Sequence, residues 1–191
     1  FLDVSGEERL FGDGAAIARR IKASVRDELA LVVSAGVAPS KFVAKVASDW
    51  GKPDGLVVVA PDGVGAFLHP LPVACLWGVG EVTEKALLAL GVRTIGDLAG
   101  FPVDVLGGRI GSAAAEHLNA LARGIDDRDV VCERDPVSVG HEDTFERDEF
   151  DRAALVPHIL RQVDRTSARL RRHELVCRVV TLKVKYADHK L

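Results

Sequence analysis

The chain has 191 residues, of which 48% are hydrophobic and 28% are charged, and its formal net charge is −3 at pH 7. This hydrophobic content supports one medium or two small packed domains and excludes global disorder. The longest uncharged runs, such as 56–60 and 68–80, are too short or too interrupted by Pro and Gly to span a bilayer, and no secretory signal is visible at the start. We therefore expect a globular protein with no membrane partner.

Two features of the composition bear on origin and compartment. The chain begins with Phe1 and contains no methionine, so we expect it to be a piece of a longer protein. The three cysteines, Cys75, Cys132 and Cys177, form no Cys-x-x-Cys pair, which argues against a disulfide framework and a zinc site. This cysteine usage predicts a cytoplasmic location.

Helix and strand patterns alternate in residues 1–70. Asp13 and Ser40 are predicted to cap two helices, each of which has an apolar face at helical spacing. The β-rich runs 31–35 and 56–60 predict strands, and two Pro-Asp-Gly turns bracket the second run, which we expect to be buried. This part is therefore α/β and should contribute strands to a mixed sheet.

The remaining chain changes pattern twice. Residues 71–125 predict short helices joined by glycine turns, and 126–136 predict an acidic, solvated linker. After the linker, 137–145 predict a strand, 152–172 a long amphipathic helix and 176–186 another strand. The predicted fold class is therefore α/β (α+β), with an all-helical part in the middle of the chain.

A glycine hairpin leads into a short helix at Leu-Trp-Gly-Val-Gly-Glu-Val-Thr, residues 76–83, which is typical of a helix-hairpin-helix motif. Glycines allow a phosphate to approach the backbone, and the free N–H groups and dipole of a helix start attract anions. Such contacts read the backbone of DNA and not its bases. The candidate DNA-binding residues are Gly78, Val79, Gly80 and Thr83; an ordinary turn between packed helices is the alternative.

A second, weaker hairpin precedes the helix at 113–123. Gly111 and Ser112 are its candidate DNA-binding residues, and Ser112 is the predicted N-cap. A capped helix with no ligand explains this string equally well. The basic excess of the chain lies further on, since residues 136–191 carry 11 basic and 9 acidic side chains.

Residues 34–55 contain a further candidate phosphate-binding region, where three lysines occur on and after a predicted helix. Lys52 precedes a rigid turn beside a strand, a suitable position for holding a phosphate chain. From the residue alone, a solvated surface lysine is the more common alternative.

These strings together resemble one family. The run S-A-G-V-A-x-x-K-F-x-A-K-x-A-S-D-x-x-K-P-x-G, at 34–55, closely resembles the palm of Y-family translesion DNA polymerases, nearest the bacterial polymerase IV type. Residues 1–4 look like the end of that family's S-x-D-E-A-(F/Y)-L-D motif, the helix-hairpin-helix is similar to its thumb, and 136–145 resemble the first strand of its little finger. Trp77 departs from the pattern, because many members have proline there.

The resemblance implies four parts in chain order. They are the C-terminal part of a palm (1–70), a helix-hairpin-helix thumb (71–125), a linker (126–136) and the N-terminal part of an α+β little finger (137–191). The family's metal-binding carboxylates would lie upstream of Phe1, so no catalytic or metal-binding residue is expected in this chain, which we expect to be inactive alone.

The resemblance also implies a function for the parent protein: low-fidelity, template-directed addition of deoxynucleotides to a primer at damaged DNA, with Mg²⁺. Its partners would be primer–template DNA, deoxynucleoside triphosphates and a sliding clamp, although the clamp-binding segment is not in this chain. Lys52 aligns with the family lysine that contacts the incoming triphosphate. The expected DNA contacts are Gly78, Val79, Gly80, Thr83, Gly111, Ser112, Ser138, Gly140, Lys183 and Lys185.

Two alternatives of other classes remain open at this point. One is a non-catalytic helix-hairpin-helix DNA-binding repair module. The other is a helix-hairpin-helix DNA glycosylase, for which Asp97 is the residue nearest a suitable position, although Thr94 and Asp97 are better explained as a helix start. Neither class needs the α/β segment at 34–55, which argues against both.

Overall fold

The computed structural model describes residues 1–132 and 136–186. The chain divides into two compact units, Phe1–Val131 and Cys132–Leu191, which are described separately. Within the described ranges, no helix combines the length and the apolar character needed to cross a membrane.

The first unit contains a small sheet and a series of short helices. In chain order its elements are α1 (Glu8–Phe11), α2 (Gly14–Leu29), β1 (Ala35–Val37), α3 (Lys41–Trp50), β2 (Leu56–Val58), α4 (Val64–Leu68), α5 (Glu81–Ala89), α6 (Ile95–Gly100), α7 (Val103–Ile110) and α8 (Ser112–Ala122). Single 3-10 turns lie at Pro61–Gly63 and Val73–Cys75.

The sheet has two parallel strands, with Gly36 opposite Val57 in the register, and α3 forms the crossover between them. A Cβ added at Gly36 would collide with the α3 backbone at Ala44 and Ser48, so the glycine allows the helix to pack directly on the strand. The predicted mixed sheet is therefore wrong in detail, because the pairing between the described strands is parallel.

The predicted strand limits also need correction. Leu31 and Val32 are more than half exposed and lie outside the pairing, which begins at Ala35. The second strand ends at Val58, which is also exposed, so the expected buried strand is a short edge strand. β-Propensity marks residues that suit a pleated surface, but a strand exists only where a neighbouring backbone pairs with it.

Most predicted helix starts are confirmed. The Asp13 carboxylate accepts the N–H of Ala16 at 2.7 Å, and the Ser40 hydroxyl accepts that of Val43 at 3.4 Å. The prediction for Ser112 is wrong: it is the first helical residue, and the N-cap is Gly111. Gly111 has φ +89°, a conformation that favours glycine over serine, and this shifts the helix start by one residue.

Most buried apolar side chains of the first unit form one cluster that extends from α3 to α8. Its largest fully buried members are Phe42, Leu68, Leu76, Leu87, Ile95, Leu98, Leu106 and Leu121. The buried Asn119 donates from its side-chain amide to the Leu98 carbonyl at 2.8 Å, which satisfies an acceptor at the end of α6. These contacts give the two hairpins a rigid support.

The second unit is organised around α9 (Arg152–Arg172), which has the predicted limits and is capped by Asp151. The expected strands at 137–145 and 176–186 are wrong for the described residues: both segments lack backbone ladder hydrogen bonds there. Instead, side chains connect the first segment to α9, as where Arg169 donates to the Gly140 carbonyl at 2.8 Å. An apolar alternating run without a paired neighbour is extended but is not a strand.

Candidate nucleic-acid interface

The first glycine hairpin is a tight, exposed turn at the start of α5. The Val79 N–H donates to the Leu76 carbonyl at 3.0 Å, and Gly78 has φ +98°, which favours glycine. Gly78 and Gly80 are exposed, whereas the Leu76 side chain is buried in the core. The hairpin therefore presents its backbone to solvent while one side chain anchors it.

Gly80 is the N-cap of α5 and leaves the start of that helix open. No described atom lies within 4 Å of a Cβ added at Gly80, and no side-chain cap covers the first turn, in which Thr83 is half-buried. That turn carries two acidic residues, Glu81 and Glu84, and Glu81 forms an ion pair with Lys85 at 2.6 Å. Backbone N–H groups at such a helix start can bind a phosphate.

The second hairpin is also an exposed glycine turn at the start of a helix. That helix, α8, contacts the first hairpin. Gly111, with φ +89°, and the exposed Ser112 begin α8, and no described atom lies within 4 Å of a Cβ added at Gly111. A Cβ on Gly78 would lie 3.7 Å from Leu118 of α8. The first hairpin thus packs on the helix that the second hairpin begins.

Lys52 follows the C-terminal end of α3, and its side chain is 63% exposed. Its ammonium lies 2.6 Å from one Asp49 carboxylate oxygen, and that of Lys45 lies 3.0 Å from the other. These hydrogen bonds, that of Lys52 above all, hold the pKa of the Asp49 carboxyl below its usual value. Two cations share one anion, so this exposed cluster has a net positive charge.

A cleft of about 220 Å³ separates the end of α3 from the turn that precedes the first hairpin. It is lined by Val46, Asp49, Trp50, Ala74 and Cys75. Burial, with a smaller effect from the Asp49 carboxylate, raises the pKa of the Cys75 thiol. Helix α3, which ends next to Lys52, therefore lies beside the turn that leads into the first hairpin.

Asp126 is a site residue that the sequence analysis missed, because the segment was expected to be a solvated linker. Its side chain is only 2% exposed, and it accepts the Phe42 N–H in the first turn of α3 at 3.1 Å. It also pairs with Arg128 through Nε at 2.5 Å and Nη2 at 3.1 Å. The Asp-x-Arg spacing was the available signal, since alternate residues of an extended chain share a face.

Arg128 connects this carboxylate to the first hairpin. Its guanidinium carbon lies 4.8 Å from the ring centroid of Trp77, the residue before Gly78. The same segment is attached to α3 a second time, because the Lys41 ammonium donates to the Asp129 carbonyl. The segment after α8 is therefore a structural connection between α3 and the hairpin.

The second unit holds four other predicted DNA contacts. Ser138, Gly140, Lys183 and Lys185 are all exposed. The structure brings Lys183 to 3.8 Å from Glu142, two residues beyond Gly140, so the two segments that carry these four residues approach each other there. Among the described residues, no cluster of three or more His, Cys, Asp or Glu side chains could hold a metal ion.

Two family models match the two ends of this chain, and sequence relatives match nearly all of it. The impB/mucB/samB family model matches residues 1–49, and that family's C-terminal domain model matches 136–190; together they cover just over half of the chain. The DNA polymerase IV of Xanthomonas axonopodis pv. citri is 42% identical over 191 residues, which is all of this chain and 53% of that protein. The DNA polymerase IV of Desulfatibacillum aliphaticivorans is 41% identical over 188 residues, which is 98% of this chain and 47% of that protein.

Solved structures agree with these matches. A Y-family DNA polymerase chimera of Dbh and Dpo4 has a TM-score of 0.75 at 29% identity, and the match covers 87% of this chain and 48% of the chimera. The insertion ternary complex of Dbh DNA polymerase has a TM-score of 0.61 at 28% identity, over 88% of this chain and 49% of that one. The chain belongs to the Y-family of DNA polymerases. It spans about half the length of the relatives that it matches.

Membership of the Y-family confirms the resemblance and the α+β fold class, with the sheet reduced to two strands. The matches above support neither the glycosylase nor the non-catalytic repair module. The Asp97 carboxylate accepts the N–H groups of Thr94 and Arg93, and Asp97 donates its own N–H to the Thr94 hydroxyl. Asp97 therefore belongs to a capping box that begins α6, as the sequence favoured.

The buried carboxylate predicts a pH dependence of stability. The Arg128 guanidinium, with a smaller contribution from the Phe42 N–H, holds the pKa of Asp126 below its ordinary value. A carboxyl whose folded-state pKa is lowered stabilises the fold above its unfolded pKa of about 3.9, and this contribution is lost as pH falls through the folded-state pKa. We expect the difference in unfolding free energy between the native chain and Asp126→Asn to be largest near pH 7.

Urea unfolding from pH 7 to pH 3 measures that difference. We expect the gap between the two proteins to close below about pH 4, as the native carboxyl becomes neutral like the amide. A gap that stayed constant over this range would contradict the ionised state of Asp126 in the fold.

Proposed function

We propose that this chain is part of a translesion DNA polymerase, a nucleotidyltransferase that adds deoxynucleotides to a primer opposite damaged template during DNA repair, at low fidelity. The identity of about 42% to DNA polymerase IV over the whole chain supports this activity for the protein that carries it. The single structural observation behind the proposal is the open hairpin at Gly78–Gly80, where a DNA backbone can approach the start of α5.

We assign the parts of this chain in the order in which they occur in Y-family polymerases. Residues 1–70 form part of the palm, 71–125 the thumb, 126–136 the linker and 137–191 part of the little finger. The continuous core from α3 to α8 would keep the palm and thumb parts of this chain in one rigid unit. Rigid support favours precise placement of groups that bind a substrate.

The hairpins would grip the primer-side backbone without reading its sequence. At the first hairpin, Gly78, Val79 and Gly80 leave room for a phosphate, and N–H groups near Thr83 supply donors. The second hairpin would add a duplex contact through Gly111 and Ser112. In the second unit, the proposed contacts with the template duplex are Ser138, Gly140, Lys183 and Lys185.

Lys52 would contact the phosphates of the incoming deoxynucleoside triphosphate. Its ammonium is exposed and held in place by Asp49 at 2.6 Å, so it can add a phosphate oxygen as a further partner. An ammonium interacts with phosphate as a point charge and needs no planar alignment. The net positive charge of the Lys45–Asp49–Lys52 cluster favours the triphosphate over a neutral ligand.

Mg²⁺ would supply the charge neutralisation that phosphoryl transfer requires. The described residues do not fit a magnesium site, because they contain no cluster of three or more metal-ligating side chains. We therefore propose that its ligands come from other parts of the polymerase. The further expected partner is a sliding clamp, and the expected compartment is the cytoplasm.

A chimera tests the activity and the role of Lys52. Residues 1–191 would replace the aligned segment of the Xanthomonas axonopodis enzyme, and we expect this chimera to extend a primer on a template. Lys52→Ala should raise the apparent KM for nucleotide about 10-fold, the scale of a hydrogen bond to a charged group, while duplex affinity stays unchanged. Steady-state primer extension over a range of nucleotide concentrations measures this KM.

Arg26→Ala is the matched control, because it removes an exposed cation that also pairs with a carboxylate, that of Asp54, outside the Lys45–Asp49–Lys52 cluster. It should leave the nucleotide KM unchanged. A chimera that folds but makes no template-dependent product would contradict the proposed activity, and equal KM values for the native and Lys52→Ala chimeras would make Lys52 a surface charge only.

A further inference from the structure

We propose that Arg128 is a positioning residue for DNA binding: anchored on Asp126, it stacks on Trp77 and holds the glycine hairpin in its binding shape. This inference rests on the proposed binding of DNA at the hairpin. It gives a role to a segment that the sequence presents only as an acidic linker.

The anchor is the Asp126 carboxylate, which is nearly inaccessible to solvent. It accepts the Phe42 N–H at 3.1 Å in the first turn of α3, where the helix dipole also favours a negative charge. The Ser40 hydroxyl accepts a second N–H of the same turn. Asp126 therefore has a fixed position relative to the packed core, because Phe42 itself is fully buried.

The guanidinium group of Arg128 connects this fixed carboxylate to the hairpin. Two of its nitrogens, Nε and Nη2, bond to the two Asp126 oxygens at 2.5 and 3.1 Å, which fixes the plane of the guanidinium. That group lies over the Trp77 ring at 4.8 Å from its centroid. A planar cation stacks favourably on an indole face.

The buried Leu76 fixes one side of the hairpin in the core, and Arg128 adds a support on the side of Trp77. Gly78 follows Trp77 directly, and glycine restricts the backbone less than any other residue. Trp77 is 45% exposed even with the Arg128 guanidinium over its ring, so packing on the core covers only part of it. Ordering the hairpin before DNA arrives lowers the entropy cost of binding, and this raises affinity without any additional interaction with the ligand.

Arg128 is not expected to bind phosphate itself. Its charge is already paired with Asp126 through two hydrogen bonds. The two roles therefore predict different salt dependence. Removing a group that binds a phosphate flattens the log–log slope of affinity against salt by about 0.9, whereas removing a positioning residue leaves the slope unchanged.

The experiment measures duplex binding by the 191-residue chain at several salt concentrations. We compare the native chain with Arg128→Ala, Gly80→Val and the double variant, and use hydrogen exchange at residues 78–80 as a second readout. Arg128→Ala should raise Kd about two- to fivefold with no change in salt slope, and it should speed exchange in the hairpin. In the Gly80→Val background it should have no further effect, because the valine already keeps DNA away from the hairpin.

Two further variants complete the design. Arg20→Ala is the matched control, because Arg20 also lies over an aromatic ring, that of Phe11 in the first unit, at 5.7 Å; it should change neither Kd nor exchange. Arg128→Lys keeps the charge but loses the planar fork, so it should behave like Arg128→Ala.

Each contrary result has a definite meaning. An unchanged exchange rate at 78–80 in Arg128→Ala would overturn the positioning role, whether or not the chain binds DNA. A flatter salt slope would make Arg128 a phosphate ligand, and an additive loss in the double variant would make its effect purely structural. By contrast, native and Gly80→Val chains with equal affinity would reject the proposed DNA site at the hairpin and leave the exchange result to decide the role of Arg128.

Discussion

Replacing Gly80 with valine is expected to weaken duplex DNA binding by about 1–3 kcal/mol, a roughly 5- to 150-fold increase in Kd. The valine side chain would project into the open space at the start of α5, where no described atom lies within 4 Å, and would keep a phosphate away from the backbone N–H groups. The slope of log affinity against log salt should flatten by about 0.9 for each phosphate that the variant no longer binds. Fluorescence anisotropy titrations with labelled primer–template at several salt concentrations measure both quantities.

Gly63→Val provides a matched control for this variant. Gly63 also has φ −91° and open space around an added Cβ among the described atoms, but it lies in a different turn, before α4. We expect its affinity for DNA to equal that of the native chain. If Gly80→Val bound as tightly as Gly63→Val, the hairpin would not be part of the DNA site.

Asp126→Ala is expected to lower the free energy of unfolding by about 2 kcal/mol, the scale of leaving a hydrogen-bond donor in the fold without its partner. The variant leaves the Phe42 N–H without its partner and separates Arg128 from the only carboxylate it pairs with among the described residues. For a chain of this size, the loss corresponds to a decrease in Tm of about 4–8 °C. Urea unfolding and differential scanning calorimetry at pH 7 measure these changes.

Asp127→Ala is the control here, because it removes an exposed carboxyl from the neighbouring position and none of the described hydrogen bonds involves that carboxyl. Its stability should stay within about 0.5 kcal/mol of the native value, as for most surface substitutions. Equal stabilities for the Asp126 and Asp127 variants would show that the buried carboxylate contributes nothing beyond an ordinary surface charge.

Local signals predicted the helices well. The caps at Asp13 and Ser40 bond to N–H groups three residues ahead, and Thr94 with Asp97 forms a capping box within the same short span. The long helix at 152–172 followed from its apolar periodicity alone. Interactions between residues so close in the chain can be recognised from the sequence, because they form in nearly the same way in any tertiary context.

Strands were predicted less well because their partners are distant in the chain. The runs at 137–145 and 176–186 alternate as strands do, but among the described residues they have no ladder. In the first unit, pairing includes only three residues of each strand. Alternation predicts which face a side chain would occupy, whereas a ladder depends on a neighbour that the run itself does not contain.

The sequence by itself determined the family, the class of fold, the helix starts at Asp13 and Ser40 and the glycine hairpin at Gly78–Gly80, because each of these depends on short runs of neighbouring residues. Only the tertiary structure decided the role of Asp126. Its carboxylate meets the Phe42 N–H from 84 positions away along the chain, and its environment is buried instead of solvated. Burial changes a carboxylate from a surface charge into an anchor for a helix, and burial is a property of the packed core and not of the local sequence.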